Sequence, residues 1–399
     1  MRTRLSVGAL ALITTAINAP VAWAEAPASV PTVSINVLVN SGLNNPRGLR
    51  FGPDGNLYVA EGGTGGSTST TEQQCQQAAG VGPYKGSPTG GRISRVDAAG
   101  NRTTVTDTFP SSQTNDETGG LVSGVADVVF IGHRMYALLA GAGCSHGVPN
   151  TANGIARVNS DGTWKLIADL SAFQMANPVA NPQPLDFEPD GTWTSFVVVD
   201  GDFYAVEPNH GEIVRVKTNG HISRVVDISA SQGHIVPTAL VAYHEKFFFS
   251  NLGTFSPDQL NKQGVYKVSQ NGKVRQLATG LSKVMGMVFD NRGRMYVLET
   301  SYSASDPGPN PHTGRLVRIL PNGDQQVLID SSSSLLFFPT GMTAGPDGAL
   351  YISNIGFGPP PGMGQVLRVE ISDCTAPHRH NDDDDEDDNP DTLKCGRGK

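Results

Sequence analysis

The stretch FGPDGNLYVAE, Phe51 to Glu61, constrains this chain more than any other, because it recurs. An apolar run ends at Phe51, a Pro-Asp-Gly turn follows, and a second apolar run climbs from Leu57 to a carboxylate at Glu61. Two alternating runs joined by a glycine-containing turn are the signature of a β-hairpin. The unit returns as VVFIGHRMYALLA from Val128, FVVVDGDFYAVE from Phe196, LVAYHEKFFFSN from Leu240, MVFDNRGRMYVLE from Met287 and MTAGPDGALYISN from Met342. Self-similarity at a period of roughly 50 to 60 residues points to a propeller or solenoid of supersecondary units.

Each hairpin is followed by a third β-rich run that begins with Gly91, Gly154, Gly211, Gly264, Gly314 or Gly364. These runs carry a basic residue at corresponding places: Arg95, Arg157, Arg215, Lys267, Arg318 and Arg368. Glycine-containing turns and a fourth run complete five of the six units, which predicts an all-β, six-bladed β-propeller. The sixth unit has no fourth run, since Val369 leads directly into Ser372-Asp373-Cys374. The alternating segment INVLV, Ile35 to Val39, can supply that strand from the N-terminal side and close the ring. Closure removes the edge that an open ring would expose.

The N-terminal residues 1–24 read as a signal peptide: Arg2 and Arg4, an apolar stretch from Leu5 to Ile17, then Ala22-Trp23-Ala24. The apolar stretch is shorter than the ~20 residues of a spanning helix, so no membrane span is expected. The reading is an exported chain, periplasmic or extracellular, with a propeller over 25–372 and an acidic, disordered tail over 373–399. The tail holds nine acidic and four basic residues, which accounts for much of the formal net charge of −8. The body is only mildly acidic and gives no footprint for nucleic acid. Four cysteines in an oxidising compartment imply disulfides, and of three connectivities Cys75–Cys144 with Cys374–Cys395 is the expected one.

The turns between first and second strands are tight, whereas the loops after second strands and between blades are long and irregular. Antiparallel alternation puts both long classes on one face, so that face and the channel mouth are the predicted binding surface. There Glu207, Asn209 and His210 (EPNHGE), His234 and Thr238 (QGHIVPT) and Asn251 (SNLGTF) should converge, with Arg47 from the first blade. The functional expectation is a ligand pocket; the competing expectation is that Glu207, Asn251, Glu299 and Asn354 tie loop amides to strand ends. Asp186, Glu188 and Asp190 could serve acid–base work, but carboxylates in a Gly/Pro-rich loop are commonly turn formers. No GxSxG elbow, HExxH motif or phosphate loop is present, so no catalytic residue is assigned. No cofactor is predicted; the carboxylates from His378 to Asp391 suit only weak calcium binding. The partner is expected to be a small molecule or a protein on the long-loop face of a monomer.

The segment NPRGLRFGPDGNLYVAEGG resembles an NHL-type propeller repeat. DFEPDG at Asp186, EPNHGE at Glu207, RVVDISASQGHIVPTA at Arg224 and SNLGTF at Ser250 together resemble the ScyD/ScyE family of exported proteins. The likeness runs from about Val37 to Val369; it implies fold and export and brings no activity with it. Gluconolactonase-type propellers place Asn or Asp at the channel mouth as calcium ligands. Here the first residues of the inner strands are Arg47, Ser123, Thr238, Met285 and Thr340, which form no such oxygen cage. A metal lactonase is therefore disfavoured, and the alternative function is a hydrolase or lyase of the lactonase-like propeller type with Glu207, His210 and His234 as acid–base or metal-binding groups.

Overall fold

The computed structural model describes residues 31–269, 272–306 and 308–375, with the pair 394–395. The repeats form six antiparallel sheets arranged as a six-bladed β-propeller. Within a blade the strands run outward in chain order, as in blade 3: Ser195–Val199, Asp202–Glu207, Glu212–Val216 and Ile222–Asp227.

Strand alternation explains why the blades stack. In blade 3, Phe203 and Ala205 face blade 2 and pack with Tyr136, Leu138 and Ile155. The intervening Tyr204 and Val206 face blade 4 and pack with Leu240, Phe249 and Tyr266. Each blade is thus apolar on both faces, and removing a buried ring such as Phe203 from water contributes about 1.5–3 kcal/mol.

In blades 1, 3 and 6 the basic residue of the third strand reaches back to the hairpin turn of its own blade. Arg215 pairs with Asp202, Arg368 with Asp347 at 2.6 Å, and Arg95 with Asp54 at 3.8 Å. The turn aspartate also accepts from a tyrosine of the second strand: Tyr58 Oη to Asp54 at 3.0 Å and Tyr351 Oη to Asp347 at 2.9 Å. In blades 1 and 6 an Asp-Tyr-Arg set therefore ties the turn to the second and third strands.

Ring closure takes the expected form. Thr32–Leu43 is the outer strand of blade 6, antiparallel to Gly364–Ser372, with Thr32 opposite Ser372 and Val39 opposite Val366. It extends well beyond INVLV on both sides.

Three features depart from the sequence reading. The third and fourth strands of blade 1 run as Lys85–Val96 and Arg102–Gln113, so a hairpin rises above the long-loop face where irregular chain was expected. Register shifts between Ser87 and Gly91 and between Gly91 and Ile93 let it bend there. Two short helices, Leu170–Ala176 and Ile228–Gln232, follow the outer strands of blades 2 and 3. Each starts because an aspartate caps it: Asp169 accepts from Ala172 N, and Asp227 from Ala230 N. Asp373, assigned to the tail, is ion-paired with Arg294 and, at 2.8 Å, with Arg318.

Cys75 and Cys144 form a disulfide with Cα atoms 6.2 Å apart, tying the blade 1 loop to the blade 2 loop. Cys374 stands opposite Cys395 in a two-residue ladder, while their side chains lie outside the described residues. The signal-peptide reading of 1–24 and the calcium reading of 378–391 also fall outside them. Among the described residues no helix is long and apolar enough to cross a membrane.

Candidate functional site

The inner strands of all six blades surround a channel that widens at the long-loop face into a cavity of about 890 Å³. Two backbone devices shape its mouth. The first is a left-handed residue just ahead of four inner strands: Asn45 (φ 53°), Val236 (φ 57°), Lys283 (φ 44°) and Phe338 (φ 42°). For β-branched Val236 this conformation costs about 1–3 kcal/mol. It is held because each carbonyl accepts from the segment after the second strand, as in Leu252 N to Val236 O at 2.8 Å and Gly62 N to Asn45 O at 2.9 Å.

The second device is a bulge within the inner strand. Register shifts fall between Pro46 and Leu49, Val125 and Asp127, Pro237 and Leu240, and Val284 and Gly286. An extra residue re-aims the side chains beyond it. Neighbouring strands also approach closely here: a Cβ on Gly48 would lie 2.1 Å from Asp127 Oδ1, so only glycine fits.

Of the seven residues predicted to bind ligand, Arg47, Asn209, His234 and Thr238 line the cavity. Asn209 Nδ2 donates to Asp186 Oδ1 at 2.9 Å, and His234 Nε2 lies 2.8 Å from Asp186 Oδ2. Asp186 thus joins loops from blades 3 and 4 at the cavity wall. Thr238 Oγ1 donates to Val284 O at 2.6 Å, and Arg47 Nη2 to Val122 O at 2.5 Å.

Glu207, His210 and Asn251 are buried and belong to the wall itself. Glu207 accepts from Thr192 N at 3.1 Å and His210 N at 2.5 Å. His210 Nε2 is 3.0 Å from Glu188 O, and Asn251 bridges Ile235 O and Gly264 N. The strand-end positions do tie loop amides, Glu299 accepting from Ser282 N and Asn354 from Phe337 N.

Blade 3 differs from blades 1 and 5 at the end of its second strand. The strand-end glutamates Glu61 and Glu299 face an arginine across the strand pair, Arg92 and Arg315, and both are ion-paired. Glu207 instead faces Glu212, which turns to Arg224 at 2.6 Å. Burial, against the pull of Arg224, leaves the Glu212 carboxyl raised. Two carboxyls therefore face each other at this strand end, where blades 1 and 5 set a carboxylate against an arginine.

The carboxylates of PLDFEPDG do more than form a turn. Glu188 is buried, lines the cavity, and accepts from Tyr84 Oη at 2.8 Å. Its other oxygen has no hydrogen-bond partner and lies 3.8 Å from His146 Nε2, itself unpartnered. His146 Nδ1 meets Ser112 Oγ at 2.9 Å, and its ring stacks on Tyr84. Burial, reinforced by Asp186, Glu207 and Asp190 and opposed by Tyr84, pushes Glu188 up to about 8. Burial takes His146 down to about 3, so the ring is neutral. Asp127, deeper in the channel, is raised by burial to about 6. Sequence reasoning missed Tyr84, Ser112 and His146, although His146 lies two residues from Cys144, whose bond to Cys75 brings the loops together.

Among the described residues no group of three or more His, Cys, Asp or Glu is placed to hold a metal ion. The cavity can enclose an organic molecule, mostly by apolar contact, with an acid at one wall and arginines at another.

No family model matches the chain, and no curated protein matches it. Solved structures do. A putative oxidoreductase (glucose dehydrogenase) from Thermus thermophilus superposes with a TM-score of 0.53 at 16% identity, covering 85% of this chain and 100% of that one. A protein of unknown function from Bacteroides thetaiotaomicron gives 0.52 at 11% identity over 86% and 76%. A gluconolactonase from Xanthomonas campestris gives 0.51 at 11% identity over 86% and 91%. At these identities the likeness establishes one property of this chain, the six-bladed propeller fold.

Proposed function

We propose that this protein is a non-catalytic binding module that takes a small, largely apolar organic molecule into the cavity at its long-loop face. The cavity itself carries the reading: about 890 Å³, walled by all six blades, with a few convergent polar groups. Ligand sites have these dimensions and this mixture. Asn209, His234 and Thr238 orient the ligand, while Glu207, His210 and Asn251 hold the wall. The long loops around the mouth also offer a surface to a protein partner. The disulfide suits an oxidising compartment, which supports export and agrees with the ScyD/ScyE resemblance.

A thermal-shift screen of the mature chain against apolar organic compounds tests the reading, with Met285→Trp as a variant that fills the cavity. Hits that stabilise the wild type and not the variant support it. A folded wild type that no compound stabilises, or hits unaffected by Met285→Trp, would count against it.

A second reading, a hydrolase or lyase, is supported by one observation. Glu188 is a cavity-wall acid pushed up to about 8, where it can give and take a proton near neutral pH. Under this reading His234, bonded to Asp186 on the same loop as Glu188, assists, and Glu188→Gln abolishes any turnover found in a screen of esters and lactones. Turnover retained by that variant would remove Glu188 from the role.

A further inference from the structure

We propose that the ligand of this cavity is an organic carboxylate, an apolar frame with one anionic end, held by the guanidinium groups of Arg47 and Arg50. This rests on the binding reading above and adds the chemistry of the ligand.

Both arginines line the cavity. On a regular strand, residues three apart point to opposite faces. The bulge between Pro46 and Leu49 removes that opposition and turns the two toward one space. Arg47 spends one of its five donors, on Val122 O. Among the described residues it makes no other hydrogen bond and no ion pair. Burial lowers Arg47 to about 10, with no carboxylate beside it to hold it up. Arg50 has a buried Nε without a partner and likewise makes no ion pair among the described residues. Asp127 is the carboxylate whose charge Arg50 feels, but its oxygens already accept from Val128 N at 2.8 Å and Phe196 N at 3.2 Å.

Desolvated charges are normally paired, as Arg92 is with Glu61 and Arg315 with Glu299. Here neither arginine has an ion-paired acidic partner among the described residues, and both line the cavity. Two guanidiniums against one aspartate leave a single positive charge, which a monoanion balances. Carboxylate geometry matches the planar fork of guanidinium donors. The remaining wall, with Leu121, Trp193, Val236, Leu252, Phe255 and Met285, suits a hydrocarbon or aromatic frame.

The probe is 11-(dansylamino)undecanoic acid, compared with its methyl ester by fluorescence titration of the mature protein. The acid should bind at least tenfold more tightly than the ester and weaken as salt rises. Arg47→Met and Arg50→Met should each weaken the acid about tenfold and leave the ester within twofold. Acid and ester binding alike, or losing affinity together in the variants, overturns the inference while the cavity reading stands. No saturable binding of either probe overturns both. Should a variant fail to fold, the acid–ester comparison in the wild type still decides.

Discussion

Tyr84 Oη donates to Glu188 Oε1 at 2.8 Å, a bond between residues 104 positions apart that joins the blade 1 hairpin loop to the loop entering blade 3. The partner it holds is a carboxyl that burial pushes up to about 8. An acid raised in the folded state keeps its proton after the unfolded chain has lost it, so stability falls as pH rises through that window. His146, depressed to about 3, works oppositely, but only below the unfolded histidine value of 6.5. Between pH 6.5 and 8 the Glu188 effect stands clear, at about 1.4 kcal/mol per pH unit at most. Glu188→Gln should flatten the melting temperature over that range, and equal slopes in the two proteins would disprove the assignment.

The ion pairs of the ring should fall into two energetic classes. Arg315 grips buried Glu299 with bonds of 2.5 and 2.9 Å, so Glu299→Ala strands a guanidinium and should cost about 3–5 kcal/mol by denaturant titration. The Arg215–Asp202 pair has its guanidinium partly in solvent, so Asp202→Ala leaves a charge that water can still solvate and should cost less than about 1 kcal/mol.

The Cys75–Cys144 disulfide spans 69 residues, and a loop of that size restricts the unfolded chain by about 4 kcal/mol. A Cys75→Ser/Cys144→Ser double variant should lose stability of that order. It should also loosen the Tyr84–His146 stack, visible as faster hydrogen exchange at both loops.

Deleting residues 32–43 strips blade 6 of its outer strand and exposes the edge of Gly364–Ser372. The truncated protein should lose cooperative unfolding and associate through that edge. A melting curve like the wild type's would show that the ring does not depend on the closure.

The blade count, the closing strand and the Cys75–Cys144 pairing were legible because each follows from local pattern: the hairpin period, a missing fourth strand, matched loops. Asp202 and Arg215 illustrate the middle ground, since the spacing of the basic residues was visible but their targets were not. The site was legible only in part. Arg47, Asn209, His234 and Thr238 could be placed at the mouth by topology, whereas the orientation of Glu207 and His210 into the wall depends on which backbone amides need acceptors. Arg50 was hidden by the bulge, because period-two reasoning turns it away from Arg47. Glu188 looked like a turn former, and its burial depends on Tyr84 and His146 arriving from loops far away in sequence.

Blade 6 takes its outer strand from one end of the propeller and its other three from the opposite end, with Thr32 seated against Ser372. During synthesis the strand at Thr32–Leu43 emerges first and finds its partner last. Bringing such distant segments together carries a loop-closure entropy that grows only logarithmically with the intervening length. The five blades already formed shorten that search by holding both ends on one rim. The ring consequently acts as its own proofreader: a chain interrupted anywhere before Gly364 cannot present the ladder that its first strand awaits.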